Sequence, residues 1–365
     1  MTKKEIAEVK KTLKAENCCI DKLCACYVTT GKEKTVIPIG SLFSCGEDEI
    51  QKYLNIFKQS VSGSIGKQLH CLEFPLDAEK EGEAQNLLYN LEKSGLDDQD
   101  MVEQVFDQII ECYETEDNFC ILIMHANYDI ISKNSDDDSE EVYSHIICSI
   151  CPVSHSKPLL AYNHDENKLQ DSESFMAIQP PKTAFLFPAL TDRSPNIHEV
   201  LVFNKKASSL DEGIISRFLG CSMPNSADEQ ISAFCESVKA SFADDISYEQ
   251  AAAIHEDLYE KSCTAESDED LVLTPDVVKQ VLQQADAKDL DAFDKKYEEM
   301  IGDGSLFLEN IAGGKYVIKM VGITITANED ARNLISVMED GMGGKCLAIR
   351  QNGEINVNGI EVKHL

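Results

Sequence analysis

The apolar residues of this chain change their spacing several times, and each change marks an element. Ile6, Val9 and Leu13 recur at three- and four-residue intervals and predict an amphipathic helix over residues 2–15. Ile20 to Val28 and Lys34 to Ile39 flank Thr30-Gly31-Lys32-Glu33, which predicts a β-hairpin. Ile50, Tyr53, Leu54, Phe57 and Val61 return to helical spacing, and two further helices are expected over 82–94 and 99–115 around a turn at Gly95 to Asp98. Periodicity is then lost. Asn118 to Asn127 and Val142 to Val153 are continuous apolar runs of strand length, followed by Thr183 to Phe187 and Glu199 to Phe203. Such runs predict strands of a sheet buried on both faces by helices. Helical spacing resumes over about 208–220 and 227–262.

The acidic stretch 264–274 predicts a linker between an N-terminal domain, 1–263, and a C-terminal domain, 275–365. Thr274-Pro275-Asp276 is a helix start: a capping side chain, proline at the first helical position and an acid near the positive helix end. Two helices are expected over 275–301, then strands at Tyr316 to Met320 and Ile323 to Ala327, a helix near 329–339, and three short strands. Asn352-Gly353 and Asn358-Gly359 supply the positive-φ pair of tight hairpin turns. The fold class expected is α+β: helices on a mixed sheet, then a smaller α+β domain ending in a β-meander.

Composition narrows the class of protein. The net charge is −32 over 365 residues, with 65 acids against 33 bases. A field of that sign repels nucleic-acid phosphates and anionic membranes and favours a basic protein partner. The one basic island is Lys3, Lys4, Lys10, Lys11 and Lys14, which reads as a solvated lysine face over a docked apolar stripe. The 14 cysteines are unpatterned, many of them inside apolar runs, so they read as buried small hydrophobes in a reducing compartment, the cytoplasm. No run is long enough to span a membrane, and the first residues lack the apolar stretch of a secretory leader.

Two constellations carry candidate chemistry. Cys148 and Cys151 have CxxC spacing between His145 and His155, and Cys24 and Cys26 can complete a zinc set. Against this, residues three apart in a strand point to opposite faces. The other candidate is the polar segment after Phe185 to Leu190. In it Asp192 and His198 form a possible acid–base pair, Ser194 a nucleophile and Arg193 an anion clamp. The competing reading of that segment is a capped turn. Ser62 to Lys67 is similar to a phosphate loop, but Val61 stands where the first glycine belongs and Gln68 follows the lysine. The acidic loop over 132–141 lacks the glycine and terminal glutamate of a calcium-binding EF-hand.

Residues along nearly the whole chain also carry a resemblance. Met1 to Ile6, Cys24-Ala25-Cys26-Tyr27, Ser62 to Lys67, Ile150 to Val153 with Ser156-Lys157-Pro158, Phe185 to Pro188 with Asp192-Arg193-Ser194, and Val357 to Ile360 carry it. The chain resembles the DUF4317 family, an uncharacterised group of bacterial proteins found mainly in anaerobic Firmicutes. The resemblance implies a cytoplasmic bacterial protein and supplies no activity; His145 and His155 stand outside the family's pattern. The function expected is a non-catalytic interaction or regulatory protein with no cofactor. The alternatives are a hydrolase or phosphate-ligand enzyme using the 191–198 loop, and a zinc-stabilised scaffold.

Overall fold

The computed structural model describes residues 1–130, 141–155, 160–171, 175–265, 267–302, 304–357 and 360–362. The chain packs as two compact units, Met1–Asp228 and Glu229–Leu365. It is α+β throughout.

The first unit opens with α1 (Lys3–Thr12), whose Thr2 and Glu5 form a reciprocal capping box. Ile6, Val9 and Leu13 are buried, so the lysines of this helix lie over a docked apolar stripe. Then follow β1 (Ile20–Val28), β2 (Lys34–Gly40), α2 (Glu47–Ser60) and β3 (Leu69–Glu73). α3 (Ala84–Lys93) and α4 (Gln99–Cys112) come next, with Asp98 capping α4. Two long strands, β4 (Asn118–Ile130) and β5 (Glu141–His155), form the centre. After them come β6 (Leu160–Asn163), β7 (Lys168–Asp171), β8 (Met176–Ile178) and β9 (Thr183–Phe187). β10 (Ala189–Thr191), β11 (Ser194–Asn196) and β12 (Glu199–Asn204) complete the unit's strands, and a π-helical turn spans Gly213–Phe218. Gly213 is required there: a Cβ would stand 2.2 Å from the Cys112 carbonyl oxygen at the end of α4.

The main sheet runs β2-β1-β4-β5-β9-β12-β3, with β8 on the end of β5. Its strand pairings are all antiparallel, so the expected mixed sheet is corrected. The continuous apolar runs arise from burial on both faces, which here does not require parallel strands. One face carries Cys24, Ile121, Ile123, Ile146 and Phe185 against α3, α4 and the π-helical turn. The other carries Leu23, Leu122, Met124, Ile147 and Leu186 against α1 and α2. The Ser60 and Ser149 hydroxyls bond at 2.7 Å and fasten α2 to β5.

The second unit has its own core. α5 (Ala227–Ser241) and α6 (Tyr248–Thr264) precede β13 (Val272–Leu273), α7 (Pro275–Gln284), α8 (Leu290–Ile301), β14 (Leu306–Phe307) and the short α9 (Leu308–Ile311). Phe234, Phe242 and Leu258 from the first two helices pack with Leu282, Phe293 and Leu306. The stretch 264–274 therefore lies inside this unit, and the division falls at 228/229 instead. The charged stretch marks a surface connection between two helices that share a core.

The expected meander is also corrected. The tail consists of separate hairpins: β15 (Tyr316–Met320) with β16 (Ile323–Ala327), β17 (Ile335–Glu339) with β18 (Lys345–Ile349), and β19 (Ile355–Val357) with β20 (Ile360–Val362). The helix expected near 329–339 is a 3₁₀ segment, Glu329–Leu334, running into β17, whose β-branched Ile335 and Val337 favour extended backbone. Asn352-Gly353 separates strands that do not pair. Asn358-Gly359 and the acidic loop, apart from Glu141, lie outside the described residues. No helix among the described residues is long and apolar enough to cross a membrane.

Phe106 of α4 is fully buried between the helices and the sheet. Phe106→Ala is expected to lower the unfolding free energy by about 3–5 kcal/mol. Chemical denaturation followed by circular dichroism measures it.

Candidate functional site

The 191–198 segment forms a small hairpin. Thr191 pairs with Ser194 across a two-residue turn, in which Asp192 and Arg193 have φ of 52° and 60°. Both lie in the left-handed region that such turns demand. The turn is clasped by α1. Glu5 accepts the Arg193 backbone N–H at 3.0 Å, and Glu8 takes the guanidinium in a two-pronged pair at 2.9 and 3.2 Å. His198 Nδ1 meets Glu79 Oε1 at 2.8 Å, and the Thr191 hydroxyl donates to Glu199 at 2.7 Å. Asp192 and Ser194 are exposed. Arg193 and His198 thus turn to carboxylates on different segments. Asp192, Arg193, Ser194 and His198 do not gather round one ligand, and the geometry is that of a braced turn.

The cysteines divide across the sheet. Cys24, Cys26 and Cys148 lie on the α3–α4 face, and Cys151 on the α1–α2 face. This is the strand alternation that opposed a CxxC metal site. Burial pushes the Cys24 thiol up to about 12 and Cys26 to about 11. Cys148 and Cys151 are raised for the same reason. Zinc and redox chemistry both need the thiolate, which these surroundings disfavour. Among the described residues no group of three or more His, Cys, Asp or Glu side chains is placed to hold a metal.

A third constellation comes from residues that strand periodicity alone does not bring together. His125, only 4% exposed, lies on β4 between β1 and β5. Its Nδ1 is 2.7 and 2.9 Å from the two oxygens of Asp21, and its Nε2 is 3.0 Å from the Ser144 hydroxyl. The carboxylate can only accept, so Nδ1 carries a proton, and in the neutral ring Nε2 accepts from the Ser144 hydroxyl. A β-bulge makes this possible. Ile20 pairs with Ala126 and Lys22 with His125, leaving Asp21 as the extra residue, its side chain re-aimed onto the imidazole. Asn127 steadies the carboxylate with a 3.1 Å bond. Gly95, at φ 58°, lies against the ring: a Cβ there would be 3.7 Å from Cε1. Lys22 pairs with Asp97 beside it. Hydroxyl, imidazole and carboxylate in this order form the chain that activates a serine nucleophile. The one sequence signal was a histidine interrupting an apolar run.

His145, the next residue along β5, points to the opposite face. It is fully buried, stacked on Tyr143 at 4.6 Å and edge-on to Tyr128 at 6.0 Å. Burial, and then the nearby His125, lower its pKa to about 3 against a small upward pull from the Tyr143 backbone. The imidazole is neutral in the fold and titrates near 6.5 when unfolded. A depressed folded pKa means that the unfolded state binds the proton first. Stability is therefore intact above about pH 6.5 and falls towards about pH 3, by about 1.4 kcal/mol per pH unit. His145→Phe keeps the stack and removes the titration. It is expected to flatten the acid limb of a stability–pH profile by that slope, as measured by denaturant melts across the range.

No curated protein and no solved structure matches the chain. A family model described as a domain of unknown function, DUF4317, matches residues 1–360. Its span covers α1, the central sheet and most of the tail hairpins, and the chain belongs to the DUF4317 family.

Proposed function

We propose that the chain is a cytoplasmic, non-catalytic interaction or regulatory protein whose acidic surface engages a basic protein partner. The observation that carries this reading is the acid surplus, 65 to 33, together with how the bases are used. Lys34 is paired with Glu103 and Asp107, Arg193 with Glu8, Arg217 with Glu114, Lys279 with Asp276 and Asp294, and Arg332 with Glu256. Pairing consumes positive charge and leaves negative charge facing solvent. Such a field speeds encounter with a basic surface and is screened by salt. The reducing compartment is supported by the cysteines, all free among the described residues. Affinity capture at low salt is expected to enrich basic proteins that high salt releases. Capture of no basic protein, or capture unaffected by salt, overturns the reading.

A second reading is favoured by the Asp21–His125–Ser144 chain alone. It moves the hydrolase alternative away from the 191–198 loop. The Ser144 oxygen attacks an acyl carbonyl while His125 Nε2 takes the hydroxyl proton and Asp21 stabilises the imidazolium. The proton then passes to the leaving group, and water repeats the sequence to free the acid. A fluorophosphonate probe is expected to label the protein at Ser144, and Ser144→Ala and His125→Gln to abolish the label. An unlabelled wild-type protein ends this reading.

A further inference from the structure

The second unit contains a cavity of about 680 Å³ between α5, α6 and β15. Its size falls within the range of small-molecule sites. Its walls follow from helical spacing. Ile231, Phe234 and Val238 line it from α5, and Ile254 and Leu258 from α6. The side is closed by β15, whose Tyr316 donates its hydroxyl to the Tyr248 hydroxyl at 3.2 Å. Ile231 and Val317 remain 41% and 46% exposed, so apolar surface is open to solvent at this site.

The charged residues of the lining run against the rest of the molecule. Lys239, Lys315 and Lys319 line the cavity, and no Asp or Glu does. In a chain with 65 acids and 33 bases, a lining chosen without regard to charge would carry more carboxylates than lysines. Lys239 pairs with Glu236 at 2.8 Å. Lys315 and Lys319 are exposed and meet no carboxylate among the described residues. Lys315 immediately precedes β15, and Val317 and Lys319 share the exposed side of the strand, at the rim of the cavity that Tyr316 walls. The lining thus offers lysines and no carboxylate to an anion from outside.

We propose that this cavity binds an aliphatic carboxylate, its chain between the two helices and its head among the lysines. The apolar wall supplies burial and the lysines supply the sign of the head group. This inference is independent of the acidic-surface reading, which concerns a macromolecular partner and the opposite charge.

The test uses the full chain and laurate below its micellar concentration, followed by isothermal titration calorimetry. Laurate is expected to bind at one site per chain, and dodecyltrimethylammonium, with the same tail and opposite head, to bind at least about tenfold more weakly. The double variant Lys315→Glu with Lys319→Glu is expected to weaken laurate by about tenfold with an unchanged melting temperature, because both side chains are exposed. Ala251→Trp, a lining position on α6, is expected to block binding by filling the space. Absence of laurate binding, equal binding of the cationic amphiphile, or unaltered affinity in both variants overturns the proposal.

Discussion

The β4–β5 hairpin is covered by helices on both faces, and that double burial governs the choices made elsewhere in the first unit. A strand with one wet face can place polar side chains outward, but a strand with none must pair or neutralise them. Ser149 bonds Ser60, Tyr143 donates to the Pro188 carbonyl, and His125 is held at both ring nitrogens. His145 remains uncharged instead. The cysteines answer the same constraint, because a thiol fills small space and weakly donates without demanding a strong acceptor.

The same constraint separates the parts of the protein that can meet a ligand from those that cannot. Four of the cysteines that invited a metal reading are structural in their surroundings: buried, protonated and split between two faces. Arg193, which invited an anion-clamp reading, is a strut between the β10–β11 turn and α1. The groups left accessible are of a different kind. Asp21 reaches solvent at the edge of a buried imidazole, and Lys315 and Lys319, before and within β15, stand beside exposed apolar surface.

Legibility in the sequence followed the range of the interaction. The first hairpin, the cap at Thr274 and the helix expected over 99–115 are local, and they fell where the residues placed them. Strand direction and the division of the chain were not legible. Continuous apolar runs report burial on two faces and are silent about pairing sense, and a charged stretch reports exposure and not a boundary. Asp21 and His125 lie 104 residues apart, and a bulge brings them together. No periodicity argument anticipates a residue whose role is to break the period. The cavity in the second unit was illegible for a related reason: that lysines and no carboxylate line it is a matter of arrangement in space.

The bulge at Asp21 has a further consequence for how this chain can vary in length. Ile20 and Leu23 both face the α1–α2 side although they lie three positions apart, because Asp21 absorbs the odd step. Loss of one residue within a strand ordinarily turns every following side chain to the wrong face. Here, removal of Asp21 would leave Ile20 opposite Ala126 and Lys22 opposite His125, a regular ladder with both cores intact. The strand register on either side therefore does not depend on this residue; what depends on it is the carboxylate against the imidazole.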